Sequence, residues 1–496
     1  MKKIYAIAGI LALFLAGVSC VQELDEEQII IPSSGTPVTL SVSDEDWVSS
    51  RSAYTPGDGI RLTQNERIAL LYDNEDETKP LYVGNSSYAI ASTPDGTGKY
   101  SFTAPDASLD KTWYGIVPYS KELTRANPNT KHLLITFPAI QFPGQNSFDP
   151  ATDILVSKPF TIEGTGDKTA SINAFKRLTA PFKLQITGLD PGDKIYAVTF
   201  DLSQTASPED LNTMAGRCNY TAGATPDEVN WSAVALPYTR SNAVSAVYDE
   251  GLEKVGDCWP VWFNVRPIKI NSGKTMTVTV LTANACYTRT VNIKAGTFST
   301  KTINTFTVDI KGSGYSEEPA ISQGFFHNGM PAATSNYPTL SAQTKQLTAT
   351  DNVTRDWEIK AFNWKASNLD GGSMLPDALG FPCRTEEARQ GYIKLPAVAG
   401  KTITKVRLYL APVSLPENKS FPLKVYKTVN GAEQLVYTVT NVTMLDLGQG
   451  YTRGGIIDIA PGEDMTGMTL KFEAQVNYNA YAALVSRIVL FTADAS

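Results

Sequence analysis

The residue types that most often carry acid–base and metal chemistry are scarce and scattered in this chain. Histidine occurs only twice, at His132 and His327, far apart in sequence. A zinc site built from histidine and a hydrolytic triad both need an imidazole beside further reactive groups, so two isolated histidines argue against either. No pair of acidic residues stands out as the acid and nucleophile of a glycosidase. The sequence therefore predicts no catalytic residue, no metal site and no cofactor, and hence a protein that is not an enzyme.

Cysteine spacing leaves the redox state of the chain open. After Cys20, four cysteines remain, at Cys218, Cys258, Cys286 and Cys383. Their wide spacing and the lack of a C-x-x-C motif argue against zinc. An exported protein can form disulfides, and four thiols allow three pairings. Partial pairing and four buried thiols both remain open.

Composition sets the broad class of protein. The chain has 496 residues, of which 42% are apolar and 19% charged, with a formal charge of −7. At about 150 residues per domain this length predicts roughly three domains. The absence of a basic block argues against nucleic acid as a partner.

The N-terminal segment predicts export and a lipid anchor. Lys2 and Lys3 precede an apolar run over residues 4–18, which ends at Ser19 and Cys20. This run has the length of a signal-peptide core and is short for a membrane span. A small residue directly before a cysteine resembles a bacterial lipobox, in which the cysteine is acylated, so residues 1–19 are predicted as a lipoprotein signal peptide and Cys20 as the lipidation site. An ordinary secretory signal with an incidental cysteine is the alternative. Residues 20–36 are predicted as an acidic tether.

Period-2 alternation of apolar and polar residues recurs along the rest of the chain, and helical periodicity is hard to find. Residues 38–43 (VTLSVS), 275–280 (TMTVTV) and 405–410 (KVRLYL) are examples. Such segments bury one face of a strand and leave the other in water. Short strands separated by Gly, Pro and Asn turns predict an all-β protein built from β-sandwiches.

Changes in composition suggest where the domains begin and end. One strand-rich block occupies residues 37–189 and a second occupies 190–311. Residues 312–320, which contain the Gly-Ser-Gly and Glu-Glu-Pro runs, are predicted as a linker. A third block, residues 321–496, is expected to fold on its own.

Several phrases in the first two blocks resemble fimbrillin-like proteins, the lipoprotein-derived subunits of type V pili. The resemblance rests on residues 113–119 (WYGIVPY), 137–141 (FPAIQ), 147–156 (SFDPATDILV), 175–184 (FKRLTAPFKL) and, in the second block, 296–310. It covers about residues 36–310 and implies two tandem fimbrillin-like β-sandwich domains. Asp149 and Asp153, within these phrases, are predicted as turn and cap residues rather than metal ligands.

The resemblance also implies a processing site and partners. In fimbrillins an Arg-specific protease removes the first strand, and a strand of another pilus subunit replaces it. Arg51, which follows the alternating residues 38–42, is the matching position here, although an ordinary surface arginine is the alternative. Partners would then be other pilus subunits, together with the membrane through the lipid, and the location would be the outer membrane and cell surface, as part of a fimbrium.

The third block contains residues 391–397 (GYIKLPA), 403–408 (ITKVRL) and 481–491 (YAALVSRIVLF). These segments resemble jelly-roll modules of the galactose-binding type, which bind sugars through aromatic rings and polar side chains. The fold expected for the whole chain is therefore two fimbrillin-like sandwiches followed by a jelly-roll-like sandwich. A core position is the alternative reading for Trp357 and Trp364. The candidate carbohydrate-binding residues are Trp357, Trp364, Tyr392, Tyr478, Tyr481, Asp370 and Arg384, with Asn368 and Asn479 as further candidates.

These observations predict a non-catalytic cell-surface lipoprotein. The first hypothesis is a terminal or accessory subunit of a type V pilus with an adhesive role. The alternative is a stand-alone carbohydrate-binding surface lipoprotein. In both cases glycans or proteins of a host or of the environment are possible ligands.

Overall fold

The computed structural model shows an all-β protein with 36 strands and one 3-10 helix among the residues that it describes. It describes residues 35–42, 54–55, 59–60, 68–72, 90–94, 99–117, 132–149, 152–172, 175–203, 214–221, 231–232, 242–299, 303–325, 341–364, 378–383, 390–411, 423–439, 455–473 and 481–495. The predicted fold class is thus confirmed at the level of an all-β chain of packed sheets.

The N-terminal part of the chain forms a nine-stranded sheet in the order β11-β12-β1-β6-β5-β4-β7-β10-β13. Its core, the first core, surrounds Trp113, whose indole N–H donates to the carbonyl of Ser108 at 3.0 Å. In chain order, the elements of this part of the chain, whether or not they belong to this sheet, are β1 (Thr36–Val42), β2 (Tyr54–Thr55), β3 (Gly59–Ile60), β4 (Ile68–Tyr72), β5 (Ile90–Pro94), β6 (Lys99–Ala104), η1 (Asp106–Ser108), β7 (Trp113–Val117), β8 (His132–Phe137), β9 (Ile140–Gln141), β10 (Leu155–Ser157), β11 (Ile162–Glu163), β12 (Lys168–Ile172) and β13 (Phe175–Arg177).

The middle of the chain builds a second core between a three-stranded sheet, β19-β14-β24, and part of an eleven-stranded sheet. Alternation creates this core directly: in β14, Phe182, Leu184 and Ile186 are fully buried, while the residues between them are half-buried. The elements are β14 (Ala180–Thr187), β15 (Ile195–Leu202), β16 (Gly216–Thr221), β17 (Trp231–Ser232), β18 (Ala243–Leu252), β19 (Trp259–Val265), β20 (Ile268–Ile270), β21 (Thr275–Leu281), β22 (Ala285–Asn292), β23 (Gly296–Phe298) and β24 (Asn304–Asp309).

A third core lies between a six-stranded sheet, β26-β27-β30-β35-β32-β33, and strands β28, β29, β31, β34 and β36. Trp357, Phe381 and Phe472 are among its largest side chains. The elements are β25 (Ser316–Gly324), β26 (Gln343–Thr348), β27 (Thr354–Lys360), β28 (Phe362–Trp364), β29 (Ala378–Cys383), β30 (Gly391–Lys394), β31 (Lys401–Ala411), β32 (Leu423–Val429), β33 (Ala432–Val439), β34 (Gly455–Ile459), β35 (Thr469–Phe472) and β36 (Tyr481–Asp494).

One sheet is continuous between the second and third cores. Strand β25 pairs with β22 on one side and with β36 on the other, in the order β36-β25-β22-β21-β15-β18-β9. A further group of buried side chains, the seam cluster, combines residues from both sides of β25; it contains Ile140, Ala197, Val247, Leu281, Cys286, Ala320, Tyr409, Val489 and Phe491. The two cores are therefore joined by backbone hydrogen bonds and by apolar packing.

The division of the chain into domains at the predicted positions stays a prediction, but two observations bear on it. Residues 316–320, placed in the linker by their composition, lie in β25, and residues 316–319 pair with β22, which satisfies their backbone groups. Strand β14 precedes the boundary predicted after residue 189, yet its side chains belong to the second core.

Candidate functional site

Strand β1 occupies an interior position in the first sheet. It pairs in parallel with β12 from Val38 to Val42 and in antiparallel fashion with β6 from Thr36 to Ser41. Its alternating sequence, TPVTLSV, places Val38 and Leu40 in the first core, where they are buried, and leaves Thr39 exposed. Pro37, which cannot donate a backbone hydrogen bond, lies before the pairing with β12 begins. The strand therefore contributes both core side chains and two ladders of backbone hydrogen bonds.

Loss of β1 would create a specific binding groove. The backbone N–H and C=O groups of β6 and β12 would lose their partners, and the floor of the groove would be apolar where Val38 and Leu40 now lie. An extended segment of another chain can satisfy such a groove by strand addition. Arg51, the predicted processing site, and Cys20, the predicted lipidation site, lie outside the described residues.

Among the predicted carbohydrate residues, the structure describes the side chains of Trp357 and Tyr392. Trp357 has no exposed surface and packs edge-on against Phe325 in the third core, so its ring faces are covered by protein. The prediction that Trp357 stacks on a sugar is therefore wrong, because its position in β27 points it inward. Trp364 lies in β28 and Tyr481 in β36, whereas Tyr478, Asp370 and Arg384 lie outside the described residues.

Tyr392 is the predicted carbohydrate residue that the structure places on an outer surface. Ile359, Ile393, Leu470 and Val425 of the six-stranded sheet are buried in the third core. Because side chains alternate along a strand, their sequence neighbours project from the opposite face. On that face lies a set of residues that we call the tyrosine face: Tyr392, Tyr426, Lys394, Lys424, Lys471, Glu358, Glu433 and Glu473.

Hydrogen bonds to carboxylates hold both tyrosines of this face in place. The hydroxyl of Tyr392 donates to Oε1 of Glu358 at 2.8 Å, and that of Tyr426 donates to Oε1 of Glu473 at 2.7 Å. Burial, followed by its Glu358 hydrogen bond, raises the pKa of Tyr392, and burial together with Glu473 does the same for the pKa of Tyr426. Both phenols therefore stay protonated as donors at neutral pH.

Lysines complete the tyrosine face. Lys394 approaches Glu358 at 3.6 Å, Lys424 pairs with Glu473, and Lys471 pairs with Glu433. The ammonium group of Lys471 also lies 4.8 Å from the ring centroid of Tyr426. Sequence reasoning missed Tyr426, Lys471 and Glu473. Their alternation with buried neighbours was visible in the sequence, but their convergence depends on which strands pair.

A buried ion pair lies where the chain runs from the first core to the second. Asp153 accepts hydrogen bonds from Nε of Arg177 at 2.8 Å and from its Nη2 at 3.0 Å, and the Thr179 hydroxyl donates to it at 2.8 Å. Asp149 accepts from the backbone N–H of Phe142, as a turn residue does. Asp153 is thus the buried acceptor of a charged pair rather than an exposed cap.

Arg487 joins the second and third cores through polar contacts. This arginine of β36 is 1% exposed, and it donates to the Ser322 hydroxyl at 2.7 Å and to the carbonyls of Tyr248 and Asp249 at 2.8 and 3.1 Å. Its guanidinium also stacks 5.1 Å from the ring centroid of Tyr196. Burial lowers the pKa of Arg487 to about 10.

The described cysteines are thiols of different accessibility. Cys286 is buried in the seam cluster, and burial raises its pKa to about 11. Cys258 is half-buried, and neither residue forms a disulfide. The side chains of Cys218 and Cys383 lie outside the described set. Among described residues, no group of three His, Cys, Asp or Glu side chains is placed to hold a metal ion, and no helix is long and apolar enough to cross a membrane.

Comparison with known proteins gives structural neighbours only. No protein-family model matches the chain, and no curated protein matches it in sequence. A candidate cell adhesion protein from Bacteroides ovatus is similar at 12% identity and a TM-score of 0.33, over 58% of this chain and 96% of that one. A candidate cell adhesion protein from Bacteroides fragilis gives 12% identity and a TM-score of 0.29, over 57% of this chain and 96% of the other. A fimbrial protein from Bacteroides ovatus gives 11% identity and a TM-score of 0.24, over 56% of this chain and 49% of that one.

Proposed function

We propose that this chain is a non-catalytic, lipid-anchored cell-surface protein that serves as a terminal or accessory subunit of a type V pilus with an adhesive role. The observation that carries the proposal is the position of β1 between β6 and β12, with Val38 and Leu40 in the first core. A strand bound in this way can be exchanged for the strand of another subunit, because both present the same backbone groups and alternating apolar side chains.

Processing at Arg51 would make that exchange possible. Arg51 follows the end of β1 in the sequence, so cleavage there separates the strand from the rest of the first sheet. Once cut, β1 is held by non-covalent contacts only, namely its hydrogen bonds and the packing of Val38, Leu40 and Val42, and a competing strand can displace it. Uncut, the chain keeps its own strand and fits the alternative, a stand-alone carbohydrate-binding surface lipoprotein.

The terminal position is supported by how β36 is held. This strand pairs with β31 along one edge and with β25 and β29 along the other, and it carries the buried Arg487. A strand paired along both edges cannot serve as a donor without opening the third core. The chain would then accept a strand at the β1 groove and offer none from β36.

The test uses the mature protein, an Arg-specific protease and a purified pilin as donor. We expect the protease to release the segment that carries β1, measured by mass spectrometry after denaturation, and the cut protein to capture one donor subunit. Arg51→Lys, which keeps the charge but not the cleavage site, should remain intact and capture none, whereas Arg61→Lys should behave as wild type. Capture by uncut Arg51→Lys would refute the cleavage step, and long fibres formed without other subunits would refute the terminal role.

The lipid anchor is tested separately in cells. We expect Cys20→Ser to move the protein from the membrane fraction to the soluble fraction, because the acyl chains provide the membrane affinity. An unchanged distribution would rule out anchoring through this cysteine while leaving the pilus role to the strand-capture experiment.

A further inference from the structure

The tyrosine face of the six-stranded sheet has a fixed geometry before any ligand arrives. Tyr392 and Tyr426 lie on β30 and β32, which flank β35, so about two strand spacings, roughly 10 Å, separate them across the sheet. Each phenol is held by a carboxylate, which fixes the direction of its ring. Two oriented rings on the strands either side of β35 provide a platform longer than a single sugar ring.

The centre of this face contains a cation with donors to spare. Lys471 is 8% exposed and pairs across the sheet with Tyr392 on β30 and with Lys424 on β32. An ammonium group carries three N–H donors, and Glu433 takes one of them. The ammonium group also lies 4.8 Å from the ring centroid of Tyr426, so a ligand hydroxyl that comes close to this ring can accept a hydrogen bond from it.

The charges on this side of the sheet balance, because Lys360, opposite Tyr392, and Asp356 add one charge of each sign to three ion pairs. Three lysines, Lys394, Lys424 and Lys471, are each paired with a glutamate: Glu358, Glu473 or Glu433. Such a surface does not attract an ion of either sign over a neutral molecule. It offers a high density of hydrogen-bond donors and acceptors around aromatic rings, which suits a neutral ligand rich in hydroxyl groups.

We propose that the tyrosine face binds a neutral oligosaccharide. Sugar rings stack on Tyr392 and Tyr426, the ammonium group of Lys471 donates to a sugar hydroxyl, and Glu433 and Glu473 accept from sugar hydroxyls. This site is separate from the β1 groove and does not depend on strand exchange, so either assignment can fail without the other.

The test is affinity electrophoresis of the full mature chain in native gels that contain a neutral galactan, mannan or xyloglucan, with hyaluronan as the anionic comparison. We expect at least one neutral polysaccharide to retard the protein and hyaluronan to leave it unaffected. Tyr392→Ala and Tyr426→Ala should each weaken binding about tenfold, as expected for loss of one stacking ring. Lys471→Met, which keeps the length of the side chain, should weaken it as well.

Matched variants separate binding from folding. Tyr315→Ala removes a tyrosine that is 41% exposed and lies outside the tyrosine face, so it should bind like wild type. Glu433→Gln keeps the shape of a half-exposed side chain and should weaken binding, and its thermal melting curve checks that the variant is still folded at the temperature of the gel. Failure of all three neutral polysaccharides to retard the protein, retardation by hyaluronan alone, or equal binding by wild type, Tyr392→Ala and Tyr426→Ala would overturn the proposal.

Discussion

The ion pair between Asp153 and Arg177 is the most shielded charged contact among the described residues. Both side chains are almost fully buried, and Thr179 supplies a further hydrogen bond to the carboxylate. Removing one member of such a pair leaves a buried charge without its counter-ion, which costs far more than losing an exposed pair.

We therefore predict that Arg177→Ala lowers the free energy of unfolding by about 3–5 kcal/mol. Lys194→Ala is the control, since Lys194 pairs with Glu253 at an exposed site and its loss should cost at most about 1 kcal/mol. Urea unfolding followed by tryptophan fluorescence measures both. Equal effects of the two substitutions would contradict the shielding of Asp153.

A second prediction at this scale concerns the two described thiols. The raised pKa of Cys286 means that the folded state favours its protonated form, and the seam cluster covers it. We expect iodoacetamide at pH 8 to label Cys258 in the native protein and to leave Cys286 unlabelled until urea is added, as read by peptide mass spectrometry. If Cys286 were labelled in the native protein as fast as Cys258, the seam cluster would have to open in the folded state.

The pH dependence of stability follows from the same shift. Because the folded pKa of Cys286 lies above the unfolded value, its contribution to stability is complete below about pH 8.5 and declines as the pH rises towards 11. Cys286→Ser should reduce the loss of stability between pH 7 and pH 10, measured by denaturation at both values, while Cys258→Ser should leave that loss unchanged.

At the scale of single elements, alternation is the property that the sequence reveals best. Residues 38–43, 275–280 and 405–410 all lie wholly or largely in strands, at β1, β21 and β31, because period-2 patterns bury one face of a sheet. Which strands pair is not visible in the same pattern. Strand β1 pairs with β12, more than a hundred residues later, and such non-local pairing depends on the whole fold.

A similar limit applies to the candidate carbohydrate residues, because the sequence does not show which face of a sheet each residue lies on. Tyr392 and Trp357 are both candidates in the sequence because they are aromatic residues of a block that resembles sugar-binding modules. The difference lies in the parity of one position: Trp357 is on the core side of β27, whereas Glu358, the next residue, is on the outer side. A shift of one residue along a strand exchanges the two faces.

Strand β1 gives a direct test of its interior position. Leu40→Ala should lower the free energy of unfolding by about 2–5 kcal/mol, because it leaves a cavity in the first core. Thr39→Ala, on the exposed side of the same strand, should change it by less than about 0.5 kcal/mol. Thermal or urea unfolding of the uncut chain measures both, and a small effect of Leu40→Ala would mean that β1 does not contribute to the core.

At the scale of the whole molecule, length and composition predicted about three units, and the described residues form three large cores. Composition does not reveal that residues 316–320, within the predicted linker, form part of a strand. The Glu-Glu-Pro run of 317–319 is polar and rich in turn formers, yet it continues a sheet, because its backbone finds partners in β22 and Ala320 packs into the seam cluster. The expectation that residues 321–496 fold alone must be weighed against this shared sheet.

The last prediction concerns the coupling of the second and third cores through Arg487. Its guanidinium donates to the Ser322 hydroxyl beside it and to the carbonyls of Tyr248 and Asp249 from the second unit, so truncation removes the donor of all three contacts. We expect Arg487→Ala to reduce hydrogen-exchange protection in β18, β25 and β36 together and to lower the melting temperature of both units. Lys401→Ala, which removes an exposed pair between β31 and Asp494, is the control and should leave protection in β18 unchanged. If Arg487→Ala loosened β36 alone while β18 kept its protection, the two cores would be independent, and the third unit would be the separable module that the sequence suggests.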